Sequence, residues 1–439
     1  MTGTISIKGV SEETAISFMD AIKGISKASG ISFAPDQEPV TPPVGTPLPL
    51  HSRICFEGDS ITRGSNGPTH VEFDLMFSQG RFYAPVGYNE AVGGETARQM
   101  AQPAEIAQVL ATNPKVVVFL AGTNDLGETS DDVPTIFANI RTCVTAYRQA
   151  GAQVVNICVL PRNDPKWQGL GPQREADRQA LNAMIRAQND VLVVDLESVF
   201  DPATMTTNNT AQDNGLHPNY LGAITIAKGV APVLNSLIVA DTPIAHSFDA
   251  SNLMLAADNP QLTGTTGTHQ IDPPATGIIT GPVAAGWVLE TNGNFTVDVS
   301  QVTLNGQDAQ RIVVSGNNDT KGRAVILRNT VTYSGVAGEL YETWWDFQLA
   351  AGSQNLETIG CSSDTTQMPV LPFPVNGLIA LQVIPGDELS GVLRPPNTAP
   401  LAAADTSTTV QVSLGFQVGA CAADITLASP FFGKVPADR

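Results

Sequence analysis

The sequence predicts a three-layer α/β/α domain built on a parallel sheet, followed by an all-β sandwich. Three observations carry that reading. From residue 52 to 241, near-continuous apolar runs alternate with helical segments, the mark of parallel strands buried on both faces. After about residue 242 the helical period fades and Thr, Val, Gly and Asn become frequent. At 439 residues the chain is also too long for one ordinary core.

The elements follow in chain order. Residues 1–33 form an N-terminal helical segment. In SEETAISFMDAIKGISKA (11–28), Ser11 caps a helix, Glu12 and Glu13 suit its first turn, and Gly30 stops it. Ala15, Phe18, Met19, Ile22 and Ile25 make one apolar stripe. That stripe either packs on its own protein or serves as an attachment or oligomer contact. Residues 34–51 hold Pro35, Pro39, Pro42, Pro43, Pro47 and Pro49 and read as an extended linker.

In the 52–241 region, strands are expected at ICF (54–56), KVVVFLA (115–121), AQVVNICVL (152–160) and DVLVVDL (190–196). Helices are expected near 95–111, 132–150, 173–189 and 220–237. Ligands of such sheets bind at the carboxyl ends of the strands. In the 242–439 region, Tyr341, Thr343, Trp345, Phe347 and Leu349 share one face of LYETWWDFQL. Val410, Val412, Leu414, Phe416 and Val418 do the same in TVQVSLGFQV. Period-two alternation between turn residues predicts an antiparallel sandwich of jelly-roll type.

Composition narrows the function. Hydrophobic content of 42% and charged content of 15% describe a globular chain. A formal net charge of −19 excludes nucleic acid and anionic membrane as expected partners, since both need basic patches. Cys55, Cys143 and Cys158 read as buried thiols, whereas Cys361 and Cys421 are candidates for pairing. No signal-peptide pattern and no apolar run of spanning length is visible.

Chemistry concentrates in a few stretches: Gly58-Asp59-Ser60, NEAVGGET (89–96), GTND (122–125) and DNGLHPN (213–219). Each falls at a predicted strand end or just before a helix. On one rim they would bring together a hydroxyl, an imidazole, an acid, a backbone amide in a Gly-rich turn and a side-chain amide. Acyl transfer from an ester needs that set.

These residues resemble the SGNH (GDSL-type) hydrolase family over about residues 52–240. The resemblance implies a flavodoxin-like fold with a five-strand parallel sheet. It implies Ser60 as nucleophile and His217 as general base. The amides of Ser60 and Gly94 and the side chain of Asn124 would form the oxyanion hole, Gly94 being fixed by its spacing from Asn89. No metal or organic cofactor is implied. One departure stands out. The family places its acid three residues before the histidine, which here is Asn214; the carboxylate is Asp213, four before. Either Asp213 reaches His217 through a one-residue insertion, or Asn214 or a backbone carbonyl orients the ring.

Substrate is less legible. In PRNDPKWQG (161–169), Arg162, Asn163 and Trp167 are candidates to hold a polar ring. On the strand 340–349, Glu342, Trp344, Asp346 and Gln348 share the face opposite the core, and Trp344 there is either a sugar-stacking platform or a contact to the other domain. An esterase joined to a jelly roll resembles carbohydrate O-deacetylases, including those of bacteriophage tails. That resemblance implies an acetylated polysaccharide as partner and an extracellular or virion-associated location. It also implies a homo-oligomer, a trimer in a phage tail. The competing readings are a lipase, thioesterase or general carboxylesterase, and a non-catalytic glycan-binding adhesin.

Overall fold

The computed structural model describes residues 45–65, 67–85, 87–206, 215–238, 251–254, 256–364, 388–395 and 400–436. The expected helix at 11–28, most of the Pro-rich segment, and Asp213 and Asn214 lie outside the described residues.

A five-stranded parallel sheet organises the first half. Its strands are β1 (Ser52–Gly58), β2 (Phe82–Tyr83), β3 (Val116–Leu120), β4 (Gln153–Ile157) and β5 (Leu192–Val194), in the spatial order β2-β1-β3-β4-β5. Side chains alternate between its faces. Ile54, Phe56, Val116, Val118 and Leu120 join the core beneath helices Val71–Phe77 and Tyr220–Leu237. Cys55, Val117 and Phe119 join the core beneath helices Val133–Gln149 and Pro172–Arg186. These are the three expected layers.

The fifth strand, implied only by the resemblance, is the two-residue β2 at the sheet edge. The expected helix at 95–111 is two, Ala97–Met100 and Pro103–Ala111, because Pro103 starts a new first turn after Gln102. Helix Tyr220–Leu237 is long and apolar enough to cross a membrane by length and composition. Here it is a core helix, burying Ala223, Ile226, Ala227, Val230 and Leu234.

The second half forms two sheets. The six-stranded one has the order β14-β12-β16-β10-β9-β7 and the five-stranded one β13-β15-β11-β8-β6. In chain order these are β6 (Thr268–Ile271), β7 (Ile278–Thr280), β8 (Val288–Thr291), β9 (Phe295–Leu304), β10 (Gln307–Asn318), β11 (Arg323–Gly335), β12 (Tyr341–Leu349), β13 (Leu356–Asp364), β14 (Leu389–Leu393), β15 (Asp405–Phe416) and β16 (Gly419–Lys434). Trp345 of one sheet meets Trp287 beside the other at 5.1 Å, and Phe295 meets Phe416 at 5.0 Å, so the sheets face each other across an aromatic core. The pairing is not wholly antiparallel, as expected from sequence. The chain crosses between the sheets at each step from β6 to β9, so β6 pairs with β8, and β7 with β9, in parallel.

Two further expectations change. Cys361 and Cys421 do not pair: both are free, buried thiols, one on β13 and one on β16 in opposite sheets. Trp344 is not an exposed platform. It is 3% exposed and stacks on Phe431 at 3.5 Å, with the Arg394 guanidinium 5.2 Å from its ring. Arg394 donates to Glu342 at 2.5 Å and to the carbonyls of Gly80 at 2.6 Å and Phe82 at 2.9 Å. The outward face of β12 is therefore the contact to the parallel-sheet half, and Arg394 fastens the two.

Candidate active site

The strand order places a switch point between β1 and β3, where a crevice opens at the carboxyl ends. The chain leaves β1 through Asp59 into the short helix Ser60–Arg63, and leaves β3 into helix Thr123–Glu128. Asp59 caps the first, its Oδ1 accepting from the Ile61 amide at 2.9 Å. Gly58 is required at the exit: a Cβ there would lie 2.8 Å from the Leu120 carbonyl oxygen and 2.5 Å from Thr62 Oγ1. Ser60 thus stands at the edge of the sheet on a turn that admits no side chain behind it.

His217 arrives from far along the chain. Its loop is held by the Gly215 amide, which donates to Thr206 Oγ1 at 2.8 Å, and by Asn219, whose Oδ1 caps the final helix through the Gly222 amide at 3.0 Å. The result is a hydrogen bond between His217 Nε2 and Ser60 Oγ of 2.8 Å, with both residues buried. That is the geometry a base needs to take the hydroxyl proton.

The segment 88–92 runs beside β1. The Phe56 amide donates to the Tyr88 carbonyl at 2.6 Å, the Glu90 amide to the Phe56 carbonyl at 2.9 Å, and the Val92 amide to the Gly58 carbonyl at 3.0 Å. Asn89 Nδ2 donates to the Thr62 carbonyl at 3.2 Å, tying this segment to the nucleophile turn. The turn that follows lies against Ser60, since a Cβ on Gly93 would be 3.9 Å from Ser60 Cβ. Gly94 has φ +82° and open space where a side chain would be. Asn124 Nδ2 donates to the Glu95 carbonyl at 2.8 Å, which places the amide group at this turn. Asp125 Oδ2 accepts from the Ala97 amide at 2.8 Å and locks the same two loops together. Among the described residues, neither the Ser60 nor the Gly94 amide donates to another protein group.

The electrostatics are unusual. Glu57 is 2% exposed, and burial foremost, with Glu95, Glu105, Glu90 and Asp59 around it, pushes its carboxyl up to about 9. Burial likewise raises Asp59 to about 7, with Asp125 adding and Arg162 opposing. Glu95 rises to about 7 from burial and the nearby Glu105 and Asp59. Several carboxyls around the nucleophile turn therefore hold protons near neutrality. Among the described residues no group of His, Cys, Asp and Glu is arranged to hold a metal ion.

The loop 161–169 differs from its expectation. Arg162 and Trp167 are buried, and the guanidinium lies over the Trp167 ring at 4.7 Å instead of facing a ligand. Arg162 Nε donates to Asp164 Oδ1 at 2.7 Å and its Nη1 to the Thr123 carbonyl at 3.2 Å. Of the three candidates, only Asn163 keeps partial exposure. Sequence reasoning missed this bracing, and also a buried pair beside the site, His70 Nδ1 with Asp74 Oδ2 at 2.6 Å. The only signal for that pair was its i,i+4 spacing, which on a helix brings two side chains together.

Residues 56–223 match the model of the GDSL-like Lipase/Acylhydrolase family. That match runs from the end of β1 across both turns to the histidine, and makes this region similar to a GDSL-type hydrolase domain. No curated protein matches the chain. Among solved structures, a GDSL-like lipase from Bacteroides thetaiotaomicron is 18% identical, covering 50% of this chain and 100% of that one, with a TM-score of 0.33. A carbohydrate esterase family 3 protein from Talaromyces cellulolyticus is 21% identical, covering 42% and 96%, with a TM-score of 0.34. A mutant of an acetyl-xylooligosaccharide esterase from Geobacillus is 16% identical, covering 44% and 97%, with a TM-score of 0.35.

Proposed function

We propose that this GDSL-type domain is a serine esterase that removes small acyl groups, acetyl foremost, from a polysaccharide. The observation that carries the reading is the 2.8 Å contact between His217 Nε2 and Ser60 Oγ, beside the Ser60 and Gly94 amides, which donate to no protein group among the described residues. Ser60 Oγ attacks the ester carbonyl as His217 takes its proton. The oxyanion is held by the amides of Ser60 and Gly94 and by Asn124 Nδ2. Collapse expels the alcohol, protonated by His217, and leaves an acyl-enzyme. Water, activated by the same imidazole, then releases the acid and restores Ser60. Asp213 orients the imidazole in this scheme, and Asn214 is its alternative.

The small acyl preference rests on what surrounds Ser60. Among the described residues of the nearby turns, Val92 is the one large hydrophobic that is exposed, at 38%. A long acyl chain needs a broader apolar surface. The strongly acidic chain, with its net charge of −19, suits a neutral esterified glycan better than an anionic polymer.

Acetate release from a panel of acetylated polysaccharides, beside Ser60→Ala, tests the reading. Equal release by both proteins would leave only glycan binding. A rate maximum at long chains in a p-nitrophenyl ester series would favour a lipase. Asn124→Ala should lower kcat by roughly a hundred- to thousand-fold, as loss of one oxyanion donor does.

A further inference from the structure

We infer that Arg162 is a positioning residue for the oxyanion donor Asn124, and that residues 162–164 form a strut between that donor and the His217 loop. The inference rests on the esterase reading above. Three observations carry it.

First, the guanidinium is buried and spends its hydrogen bonds on protein, not on a ligand-facing edge. Its partners are Asp164 Oδ1 at 2.7 Å and the Thr123 carbonyl at 3.2 Å, with the Trp167 ring at 4.7 Å. Burying a cation is costly unless it is paired in this way. Second, Arg162 packs against the turn that carries Asn124. Thr123 immediately precedes Asn124, and helix Thr123–Glu128 has no side-chain cap at its start. At the other end of the same turn, a Cβ on Gly127 would be 2.8 Å from Arg162 Nη1, so a larger residue there would displace the guanidinium. Arg162 thus braces from outside a turn that the Asn124–Glu95 and Asp125–Ala97 contacts hold on its other side. Third, the next residue reaches the base. The Asn163 amide donates to the Gly215 carbonyl at 3.0 Å, two residues before His217. Gly215 has φ +100° and no room for a side chain: a Cβ would be 1.9 Å from Asn163 Oδ1 and 2.5 Å from the Asp164 amide nitrogen. One short segment therefore fixes the Asn124 turn on one side and the His217 loop on the other.

A strut of this kind acts on the transition state. The substrate ester is bound before charge develops, so a displaced Asn124 lowers kcat and leaves KM nearly unchanged. The ceiling is the loss of the donor itself.

The test uses the full chain with p-nitrophenyl acetate, in Arg162→Met, Arg162→Lys, Asn124→Ala and the Arg162→Met/Asn124→Ala double variant. Active sites are counted by stoichiometric release from diethyl p-nitrophenyl phosphate, so misfolded protein does not enter kcat. Arg162→Met should lower kcat by ~10- to 100-fold with KM changed by less than about twofold, within the range for a lost oxyanion donor. Lys should recover part of the loss, keeping the charge but not the planar fork. In the Asn124→Ala background, Arg162→Met should cost less than about twofold more, because the donor it positions is gone. Losses that multiply fully in the double variant, or a loss confined to KM, would overturn the inference. If Arg162→Met does not fold, Asp164→Asn, which removes the charged partner of Nε, takes its place in the same cycle. Ser60→Ala is the control for the parent reading: hydrolysis that survives it defeats that reading and this inference together. A silent Arg162 in a Ser60-dependent enzyme defeats the inference alone.

Discussion

Replacing Gly58 with alanine tests whether the close approach of β1 to β3 sets the site. Backbone strain is not in play, because Gly58 is not among the positive-φ residues. The new methyl would sit 2.5 Å from Thr62 Oγ1, 3.0 Å from Thr62 Cβ and 2.8 Å from the Leu120 carbonyl oxygen. Thr62 is a buried, β-branched residue with little rotameric freedom. Leu120 is backbone, paired in register with Gly58, and yields only if the strands part. Overpacking of that kind costs about 1–3 kcal/mol. In a unit of this size the loss should appear as a fall in Tm of roughly 4–8 °C for about 2 kcal/mol. The strands would part at their carboxyl ends, where one carries Ser60 and the other Asn124. A misplacement on the order of 1 Å costs up to about a hundred-fold in rate. Gly58→Ala should therefore lower kcat on p-nitrophenyl acetate by ~10- to 100-fold, beyond what its Tm explains at the assay temperature. Calorimetry and initial rates on one preparation decide it. An alanine variant with unchanged Tm and kcat would mean that the β1–β3 junction has slack, and the steric account of Gly58 would be wrong.

Other outcomes follow from the same contacts. Glu57 keeps its proton in the folded state up to about 9, against 4.5 for the free side chain. Folding thus favours the protonated form: this contribution is fully present below about pH 4.5 and is lost as pH rises through 9, at up to about 1.4 kcal/mol per unit. Glu57→Gln should gain on the native protein in Tm as pH goes from 5 to 9, and parallel Tm–pH curves would refute the assignment. Arg394→Met strands Glu342 without its buried cation. It should cost about 3–5 kcal/mol in chemical denaturation, with Glu342→Gln in the same chain recovering much of it. Equal losses in the single and double variants would show that the ion pair does not fasten the two halves.

Much of the parallel-sheet half was legible because its signals are local and redundant. A strand buried on both faces is apolar at nearly every position, so VVVFL reads as one, and its end is marked by GTND. The two carboxyl ends that matter, after Gly58 and after Leu120, lie next to each other because β1 and β3 are neighbours at the switch point. The contact between Ser60 and His217 spans 157 residues and has no local signal. It could be anticipated only because both stretches were assigned to the same rim. The edge strand β2 was invisible for the opposite reason: two residues, Phe82 and Tyr83, are too few for periodicity to register.

The misreadings have one physical cause. Alternation along a strand separates two faces but does not say what covers the second. On β12, Glu342, Trp344 and Asp346 were read as the face away from the core, and a polar face beside a tryptophan suggests solvent and sugar. All three are buried; Glu342 is paired with Arg394, which also lies over the Trp344 ring and donates to carbonyls of the parallel-sheet half. Arg162 repeats the pattern on a smaller scale. A polar loop after a strand usually meets solvent, yet this one lies between the Asn124 turn and the His217 loop, and its arginine is consumed by Asp164 and Thr123. In both places a charged residue marks a junction between packed units. A cation committed to an acid and to carbonyl oxygens fixes orientation in a way that apolar packing does not, because its hydrogen bonds are directional. The same chemistry that makes such residues look like ligand contacts in a sequence makes them effective fasteners in a fold. The discriminating observation is burial together with the count of protein partners, and neither can be read from the chain alone.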